Sequence, residues 1–539
     1  MQAPMKAPSL LQHLTQAVAR QTPDAIALRH AGQDLGYAEL VAMQSAFAQG
    51  LLAHGLQRGE RVAIFLSKRF EAVAAMLGTA EAGGVFVPVN PLLKPDQVAH
   101  ILSDGGVRVL VTSPDRWRLL AAAAEQCPSL QHVVLVGAGE VKAQRCHLLP
   151  WPQWLQTPSH PHAVHGVIDA DMAAILYTSG STGKPKGVVV SHRNMVSGAA
   201  SVASYLNNGP QDRLLAVLPL SFDAGLSQVT TALTVGACAV LLDYTLPSEV
   251  LQVLQRERIT GLTAVPPLWI QLAELKWPDG AGQHLRYFAN TGGKMPRDVL
   301  SRLRALLPQA SPYLMYGLTE AFRSTYLPPQ EVDARPDSIG RAIPNQEVLV
   351  LRPDGTECDA DEPGELVHRG STVALGYWND PEKTAERFKP LPRPGSGLTC
   401  PELAVFSGDT VRRDAHGYLY FIGRQDEMIK TSGYRISPVE LEEVIYSDAR
   451  IAEVAAFGVT HPRLGQAIVT VVLPRKGEVL EPEHVQQLCR KQLPAYMVPS
   501  HVHIAADSLP RNANGKIDRK ALSQHFAGLF QPSNQQAQA

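Results

Sequence analysis

Short apolar runs alternate with amphipathic segments through the first part of the chain. Residues 61–66 (RVAIFL), 85–89 (VFVPV), 108–113, 132–137, 214–220 and 238–243 predict strands, and segments such as 71–83 and 96–104 predict helices. This alternation is typical of repeated βα units, whose parallel strands are buried on both faces of a sheet. The pattern therefore predicts an α/β fold with large parallel sheets.

The pattern changes near residue 345. The sequence EVLVLRPDGTECDADEPGELVHRG predicts two alternating strands joined at the turn dipeptide Asp354-Gly355, within a β-rich subdomain over about 345–425. A helix, a strand pair and two further helices then predict a small α+β domain over 426–527. We therefore expect a large N-terminal domain over 1–425, a small C-terminal domain that moves about a hinge near Asp426, and a disordered tail over 528–539.

Composition and charge exclude several classes of protein. Charged residues make up 18% of the 539 residues, and 49 Lys plus Arg against 50 Asp plus Glu give a net charge of −1, so the chain has no general basic field for nucleic acid. The six cysteines have neither zinc-ligand spacing nor a disulfide pattern. Glu81 and Gly83-Gly84 interrupt the longest apolar stretch, which is too broken for a membrane span. These features predict a cytoplasmic protein.

One loop combines residue types that can bind an anion. In AAILYTSGSTGKPKGVVV, a predicted strand over 173–177 leads into a loop that holds three glycines, four hydroxyl side chains and two lysines. Glycines let backbone N–H groups turn inward around an anion, and hydroxyl and ammonium groups add donors for phosphate oxygens. The loop is not a Walker P-loop, because Pro185 follows Lys184 where that motif needs Ser or Thr. The sequence predicts a polyphosphate site, with a flexible Gly/Ser connection as the alternative.

Five motifs, in order along the chain, resemble those of the adenylate-forming (AMP-binding) superfamily. They are YTSGSTGKPKG, NTGGKMP (290–296), YGLTE (316–320), SGDTVRRDAHGYLYFIGRQDEMIKTSGYRISPVELE (407–442) and NANGKIDRKAL (512–522). The superfamily includes acyl-CoA synthetases, amino-acid adenylation domains and luciferases. The whole chain also resembles standalone acyl-CoA ligases, with the exosortase-associated ligases as one candidate branch, and standalone amino-acid adenylation enzymes.

The resemblance implies that a substrate carboxylate attacks the α-phosphate of ATP to give acyl-AMP, after which a thiol attacks the mixed anhydride. It implies ATP and Mg²⁺ as cofactors, with CoA or a phosphopantetheinylated carrier protein on a separate chain as co-substrate. It further implies Lys186, Glu320 and Lys516 as the catalytic residues, with Thr178 and Glu320 on the metal. The implied phosphate and nucleotide contacts are Thr178, Ser179, Gly180, Ser181, Thr182, Gly183, Lys186, Gly292, Gly293, Lys294, Tyr316, Gly317, Thr319, Asp409, Arg424 and Lys516.

Several of these residue types have ordinary structural uses. Asp409 is also suited to stabilising a turn, Tyr316 to packing in a core, and Lys516 to a solvent-exposed turn after Asn514-Gly515. Within the family motifs they would bind ribose, stack on adenine and reach the α-phosphate. After adenylation the C-terminal domain would rotate and present a thiol tunnel. The implied hinge and tunnel residues are Asp426, Lys430, Gly433 and Tyr434.

The segment LPLSFDAGLSQ (218–228) is the expected substrate pocket. Amino-acid adenylation domains resemble it, because they place an Asp at the position of Asp223 to pair with the α-ammonium group; the alternative is that Asp223 caps the following helix. Arg323 either points inward and needs an anionic partner, such as a second substrate carboxylate, or points to solvent. The implied pocket positions are Asp223, Ala224, Ser227, Leu268, Asn290, Gly292, Met315, Arg323 and Ser324.

A non-catalytic nucleotide-binding protein is the alternative from a different functional class. Loss of Lys186, Glu320, Asp409 or Lys516 would favour that alternative, and all four are present. The sequence therefore predicts an AMP-forming acid–thiol ligase that acts on a small carboxylic acid or amino acid. A standalone adenylation enzyme that loads a separate carrier protein remains open.

Overall fold

The computed structural model describes residues 8–158, 165–178, 185–391, 402–424, 427–431, 434–461, 464–493, 495–512 and 515–530. The predicted loop residues 179–184, together with Asp426, Gly433 and residues 531–539, lie outside these ranges, as do the side chains of Lys430 and Tyr434. In the described part of the chain no helix has the length and hydropathy needed to cross a membrane.

The strands, in chain order, are β1 (Ile26–His30), β2 (Gln33–Gly36), β3 (Arg61–Phe65), β4 (Val85–Pro88), β5 (Val107–Thr112), β6 (His132–Leu135), β7 (His147–Pro150), β8 (Met172–Thr178), β9 (Lys186–Ser191), β10 (Arg213–Ala216), β11 (Cys238–Leu241), β12 (Gly261–Ala264), β13 (Tyr287–Asn290), β14 (Ser311–Tyr316), β15 (Thr325–Leu327), β16 (Ser338–Ala342), β17 (Gln346–Leu351), β18 (Gly364–Gly370), β19 (Gly376–Tyr377), β20 (Phe388–Leu391), β21 (Glu402–Arg413), β22 (Leu419–Arg424), β23 (Ile429–Thr431), β24 (Tyr434–Ile436), β25 (Ile451–His461), β26 (Gly465–Pro474) and β27 (His501–Ile504).

The helices are α1 (His13–Ala19), α2 (Tyr37–Ala53), α3 (Phe70–Glu81), α4 (Pro95–Asp104), α5 (Pro114–Ala124), α6 (Trp151–Leu155), α7 (His192–Tyr205), α8 (Asp223–Thr234), α9 (Pro247–Arg256), α10 (Pro266–Glu274), α11 (Arg297–Leu306), α12 (Pro381–Arg387), α13 (Pro438–Tyr446), α14 (Pro482–Gln492) and α15 (Arg519–His525). Single 3₁₀ turns occupy Thr319–Ala321, Pro329–Glu331 and Ala495–Met497.

The chain forms two compact units. The first contains residues 1–348 and 367–406, and the second contains 349–366 and 407–539. The C-terminal domain boundary near Asp426 stays a prediction, because that residue lies outside the described ranges.

The first unit contains two mixed sheets with parallel centres. In one sheet the strands lie in the order β19-β9-β8-β4-β3-β5-β6-β7, and all pairs from β8 to β7 are parallel. In the other the order is β16-β15-β14-β13-β12-β10-β11-β1-β2, with parallel pairs from β14 to β1. Strand β4 is buried at every position, as expected for a strand covered on both faces. The predicted α/β architecture is therefore confirmed, with antiparallel pairs of β9, β15, β16 and β2 flanking the parallel centres.

Helices α2, α3, α7 and α8 contribute to one extensive core cluster of the first unit. Helices α2 and α3 pack so closely that a Cβ atom on Gly78 would lie 2.5 Å from the Gln44 carbonyl oxygen. A glycine is therefore required at this crossing, and the close packing fixes α3 beside its sheet.

The Asp354-Gly355 prediction was only partly right. The turn forms, since Gly355 has φ +85° and its N–H donates to the Arg352 carbonyl. However, it pairs only Leu351 with Glu357, and β18 begins later, at Gly364. The Arg352 Nε–H donates to Glu362 Oε1 at 2.8 Å, which holds the intervening acidic segment in a compact turn. Because this side-chain bond holds the segment in a turn, the second strand begins only at Gly364.

The second unit contains a small sheet in the order β24-β23-β26-β25, with β27 on β26. Helices α13 and α14 supply apolar residues, including Leu441 and Val485, to the core beside this sheet. The buried Glu442 carboxylate pairs with Arg519 at 2.7 Å, and burial raises the pKa of Glu442. The ion pair therefore ties α13 to α15.

Two buried histidines predict acid sensitivity of the first unit. Burial lowers the pKa of His192 and of His368 to about 4 from the ordinary 6.5, and the His192 Nδ1 accepts a bond from the Leu11 N–H at 3.1 Å. Between pH 4 and pH 6.5 the two histidines bind more protons in the unfolded chain than in the folded chain. The stability that the neutral rings contribute is therefore fully present above pH 6.5 and is lost as the pH falls toward 4. Each ring contributes about 1.36 kcal/mol per pH unit in this range, so His192 and His368 together contribute about 2.7 kcal/mol per unit to the fall in the free energy of unfolding.

Urea denaturation at a series of pH values between 7 and about 4.5 measures this slope. We expect His368→Val to reduce the slope and His416→Gln, in an exposed turn, to leave it unchanged. Equal slopes in the wild type and in His368→Val would contradict a neutral buried ring.

Candidate active site

The ends of the glycine-rich loop are fixed by the antiparallel hairpin β8–β9. Thr178 is the last residue of β8 and lies directly opposite Lys186, the first residue of β9. The Thr178 hydroxyl is 3.5 Å from the Lys186 carbonyl oxygen. The predicted loop residues Ser179, Gly180, Ser181, Thr182 and Gly183 lie outside the described residues. The structure thus brings Thr178 and Lys186 together at the base of that loop.

Lys186, Glu320 and Tyr377 form one polar cluster. The Lys186 ammonium group is 3.4 Å from Glu320 Oε1 and 3.0 Å from the Tyr377 hydroxyl, which itself donates to Glu320 Oε1 at 2.6 Å. The ammonium group also lies 4.2 Å from the centre of the Tyr377 ring. Burial lowers the pKa of Lys186, and the nearby Glu320 carboxylate opposes this effect. The cluster combines a cation and an anion at the base of the loop.

Sequence reasoning did not select Tyr377 as a site residue. It belongs to the GYWNDPEKTAERF segment, which had indicated only a general resemblance to acyl-CoA ligases. Strand β19 pairs Tyr377 with Val188 of β9, two residues after Lys186. This pairing explains how the tyrosine reaches the cluster.

The cluster fits a magnesium ion shared with a nucleotide. Mg²⁺ prefers oxygen ligands and usually takes one or two from protein, with the rest from phosphates and water. The Glu320 carboxylate lies beside the Lys186 ammonium group, and the Thr178 hydroxyl lies beside the Lys186 main-chain carbonyl oxygen. Within the described ranges no group of three or more His, Cys, Asp or Glu residues could hold a metal alone. Glu320 and Thr178 would therefore supply the protein oxygens.

We expect Tyr377→Phe to lower kcat/KM for ATP about ten- to a hundredfold. The substitution removes a hydroxyl that bonds to two charged groups, and such bonds are worth about 1.5–3 kcal/mol. Steady-state kinetics with varied ATP measures the effect. Tyr420→Phe is a matched control, because that hydroxyl also contacts a carboxylate, Asp414, at 3.1 Å. Equal effects of the two substitutions would contradict a positioning role for Tyr377.

The predicted adenine-side residues gather at the carboxyl ends of β13 and β14. The Asn290 amide donates to the Gly293 carbonyl oxygen at 2.7 Å, and Gly292 has φ +76°. Lys294 forms an ion pair with Asp337 at 3.1 Å. Tyr316 ends β14, and Gly317 and the buried Thr319 follow it. Ligands of α/β proteins commonly bind at this edge of a sheet.

His368 is a second residue that sequence reasoning missed. Its ring lies parallel to Tyr316, with centroids 6.5 Å apart and an interplanar angle of 13°. Because burial lowers the pKa of His368 to about 4, the ring is neutral near pH 7. The His368 ring therefore packs near Tyr316 in a nearly parallel plane without adding a charge there. No sequence pattern marked it, since a His within a strand is most often a core residue.

All of the predicted substrate residues except Gly292 are buried. Asp223 is the first residue of α8 and Phe222 occupies the N-cap, so Asp223 is not itself the cap residue. Arg323 is only 4% exposed, which excludes the solvent-facing orientation. The other members buried in this region are Ala224, Ser227, Leu268, Asn290, Met315 and Ser324.

The remaining predicted nucleotide residues belong to the second unit. Asp409 of β21 lies opposite Arg424 of β22, and the Arg424 Nε–H donates to Asp409 Oδ1 at 2.9 Å. Lys516 is exposed in a turn in which Gly515 has φ +78°. The Asn512 N–H donates to the Lys516 carbonyl oxygen at 2.8 Å and closes this turn.

Comparison with known proteins gives two family matches. Residues 15–378 match the model for AMP-binding enzymes, and residues 440–516 match the model for the AMP-binding enzyme C-terminal domain. Feruloyl-CoA synthase of Amycolatopsis sp is 30% identical over 514 residues, which cover 94% of this chain and 97% of that protein. One of the linear gramicidin synthase proteins of Brevibacillus parabrevis is 31% identical over 94% of this chain, which spans only 9% of that much longer protein.

A solved structure has the same fold. O-succinylbenzoate coenzyme A synthetase (MenE) from Bacillus subtilis, in complex with ATP and a magnesium ion, superposes with a TM-score of 0.80 at 26% identity. The match covers 95% of this chain and 99% of that one. Because the family model covers residues 15–378, more than half of the 539 residues, this chain belongs to the family of AMP-binding enzymes.

Proposed function

We propose that this protein is an ATP-dependent, AMP-forming acid–thiol ligase. The observation that carries the proposal is the cluster of Lys186, Glu320 and Tyr377 at the base of the glycine-rich loop. Two anionic reactants must meet in the first step, so cations and preorganised donors are needed at the phosphates. The cluster supplies a cation and a metal-binding carboxylate at that place.

In the first half-reaction a carboxylate oxygen of the substrate attacks the α-phosphorus of ATP. The bond from that phosphorus to the bridging oxygen breaks, and pyrophosphate leaves with the electron pair. The Lys186 ammonium group would offset the developing charge, and Glu320 would hold the magnesium ion that the phosphates share. Asp409 would accept hydrogen bonds from the ribose hydroxyls, and Lys516 would approach the α-phosphate and the carboxylate.

In the second half-reaction a pantetheine thiol attacks the acyl carbonyl carbon. The thiol proton is lost, the thioester bond forms, and AMP leaves with the carboxylate oxygen. The match to feruloyl-CoA synthase over nearly the whole of both chains favours CoA as the acceptor. A carrier protein would present the same pantetheine group and is the alternative acceptor.

The test is pyrophosphate release with ATP and Mg²⁺, measured without thiol on a panel of fatty acids, dicarboxylic acids and amino acids. We expect release that depends on a carboxylate, and a thioester once CoA is added. Carboxylate-independent ATP hydrolysis, or nucleotide binding without release for the whole panel, would contradict the proposal. A thioester with a carrier protein but not with CoA would identify the alternative acceptor.

Asp223 tests whether the substrate carries an amine. The carboxylate is buried in the first turn of α8, where it could pair with an ammonium group. We expect Asp223→Ala to lower kcat/KM for an amino acid about tenfold to a hundredfold more than for its des-amino analogue, since hydrogen bonds to charged groups are worth about 1.5–3 kcal/mol. Asp298→Ala, in the exposed first turn of α11, is the control. Equal effects on both substrates would assign Asp223 a structural role.

A further inference from the structure

A small cavity in the first unit has one charged residue among the described residues that line it. The cavity has about 20 Å³ of free volume and is bounded mainly by aliphatic and hydroxyl side chains. Arg323 supplies the charge, and Thr231, Ser227 and Met315 form part of the wall. The described lining contains neither Asp nor Glu. The cavity is therefore cationic.

Arg323 lacks an anionic partner among the described residues. Its side chain makes one weak contact, from Nη1 to the Thr291 hydroxyl at 3.4 Å, and its Nε–H has no acceptor. The residue is only 4% exposed, so bulk solvent reaches little of its side chain. Burying a guanidinium group without an anion is costly, because its hydration is lost. Such an arrangement is expected where a ligand supplies the anion.

Other polar atoms in this region also lack partners among the described residues. The Thr231 hydroxyl in the cavity wall has no acceptor or donor, and the Ser324 hydroxyl beside Arg323 has none either. Burial raises the pKa of Tyr205 and of Tyr287, so neither phenol provides a negative charge. The region therefore has spare donors for an anion.

The backbone before Arg323 is strained in a way that fixes its direction. Phe322 has φ +55° and ψ −38°, and the Arg323 N–H donates to the Ala321 carbonyl at 2.6 Å, which forms a γ-turn of the rare, strained type. The Phe322 ring is fully buried against α7, where a Cβ on Gly198 would lie 2.5 Å from it. Strain of this kind persists where packing enforces it, and it is concentrated at functional sites.

We propose that this cavity binds a second carboxylate of the substrate, so that the enzyme activates a short dicarboxylic acid, with or without an amino group. A guanidinium group matches the two oxygens of a carboxylate, and the small free volume suits that planar group. Arg323 follows Glu320 by three residues, so their Cα atoms lie at most roughly 11 Å apart. Arg323 thus lies close along the chain to the predicted metal-binding carboxylate, which favours a short spacer between the two carboxyl groups of the substrate. This inference rests on the proposed ligase function.

The experiment compares acids with their half-amides on the wild-type enzyme. Succinate, glutarate, L-aspartate and L-glutamate are each paired with succinamate, glutaramate, L-asparagine and L-glutamine in the pyrophosphate-release assay. We expect at least one dicarboxylate to exceed its half-amide by a hundredfold or more in kcat/KM. In Arg323→Met that ratio should fall to within about threefold of one, whereas Arg302→Met, at an exposed position on α11, should keep the wild-type ratio.

The outcomes separate the two proposals. Pyrophosphate release with monocarboxylic acids or half-amides, without a preference for any dicarboxylate, overturns the second-carboxylate site and leaves the ligase proposal standing. No release with any acid overturns the ligase proposal itself. If Arg323→Met fails to fold, the wild-type comparison still decides. An unchanged ratio in a folded Arg323→Met enzyme also overturns the assignment of Arg323.

Discussion

Replacing Lys516 with alanine is expected to reduce acyl-adenylate formation by about a thousandfold, while thioester formation from supplied acyl-AMP stays within a few-fold of the wild type. A single donor aimed at charge that develops in a transition state is worth about 10²–10³ in rate. Lys516 would meet that charge only in the first half-reaction, so its removal should affect the two half-reactions unequally.

The surroundings of Lys516 indicate that its replacement should not disturb the fold. Lys516 is exposed in a turn that backbone bonds close, including the one from the Asn512 N–H to its carbonyl oxygen. Truncation of an exposed side chain usually changes stability by less than about 0.5 kcal/mol. Lys520→Ala, an exposed lysine on α15, is the matched control. Equal losses in both half-reactions would remove Lys516 from the adenylation step.

Glu320→Gln is expected to lower the adenylation rate by about a hundredfold or more and to raise the Mg²⁺ concentration needed for half-maximal rate. The amide keeps the shape of the side chain but loses the charge that pairs with Lys186 and that would attract the metal. Adenylation rates measured over a range of Mg²⁺ concentrations at fixed ATP test this directly.

The control for Glu320 is Glu382→Gln, which removes an exposed carboxylate from the first turn of α12. Its Mg²⁺ dependence should match that of the wild type. If Glu320→Gln also kept the wild-type Mg²⁺ dependence, the carboxylate would serve only to hold Lys186 and Tyr377 in place.

The sequence predicted the fold where local pattern and burial agree. The apolar run at 85–89 became β4, buried at every position, and the helix expected at 96–104 spans Pro95–Asp104. A short continuous apolar run marks the buried strand, and apolar residues at helical spacing, Val98, Ile101 and Leu102, mark the helix. The strand after the Asp354-Gly355 turn was predicted to begin too early, because a pattern of apolar and polar residues does not reveal the side-chain bond between Arg352 and Glu362.

The site was predictable in part. Lys186 and Glu320 came from motifs, and the structure brings their side chains to 3.4 Å although 134 residues separate them. Tyr377 and His368 were missed because their positions depend on strand pairing and on burial. The orientation of Arg323 was also open in the sequence, since a γ-turn at Phe322 determines it.

The most direct test of the central claim uses an acid labelled with ¹⁸O in its carboxyl group, chosen as the one that gives the strongest pyrophosphate release. If the carboxylate attacks the α-phosphate and a thiol then displaces AMP, mass spectrometry should find one labelled oxygen in AMP, with none in pyrophosphate. Label in orthophosphate together with ADP, or AMP without label while the thioester forms, would contradict an acyl-adenylate mechanism.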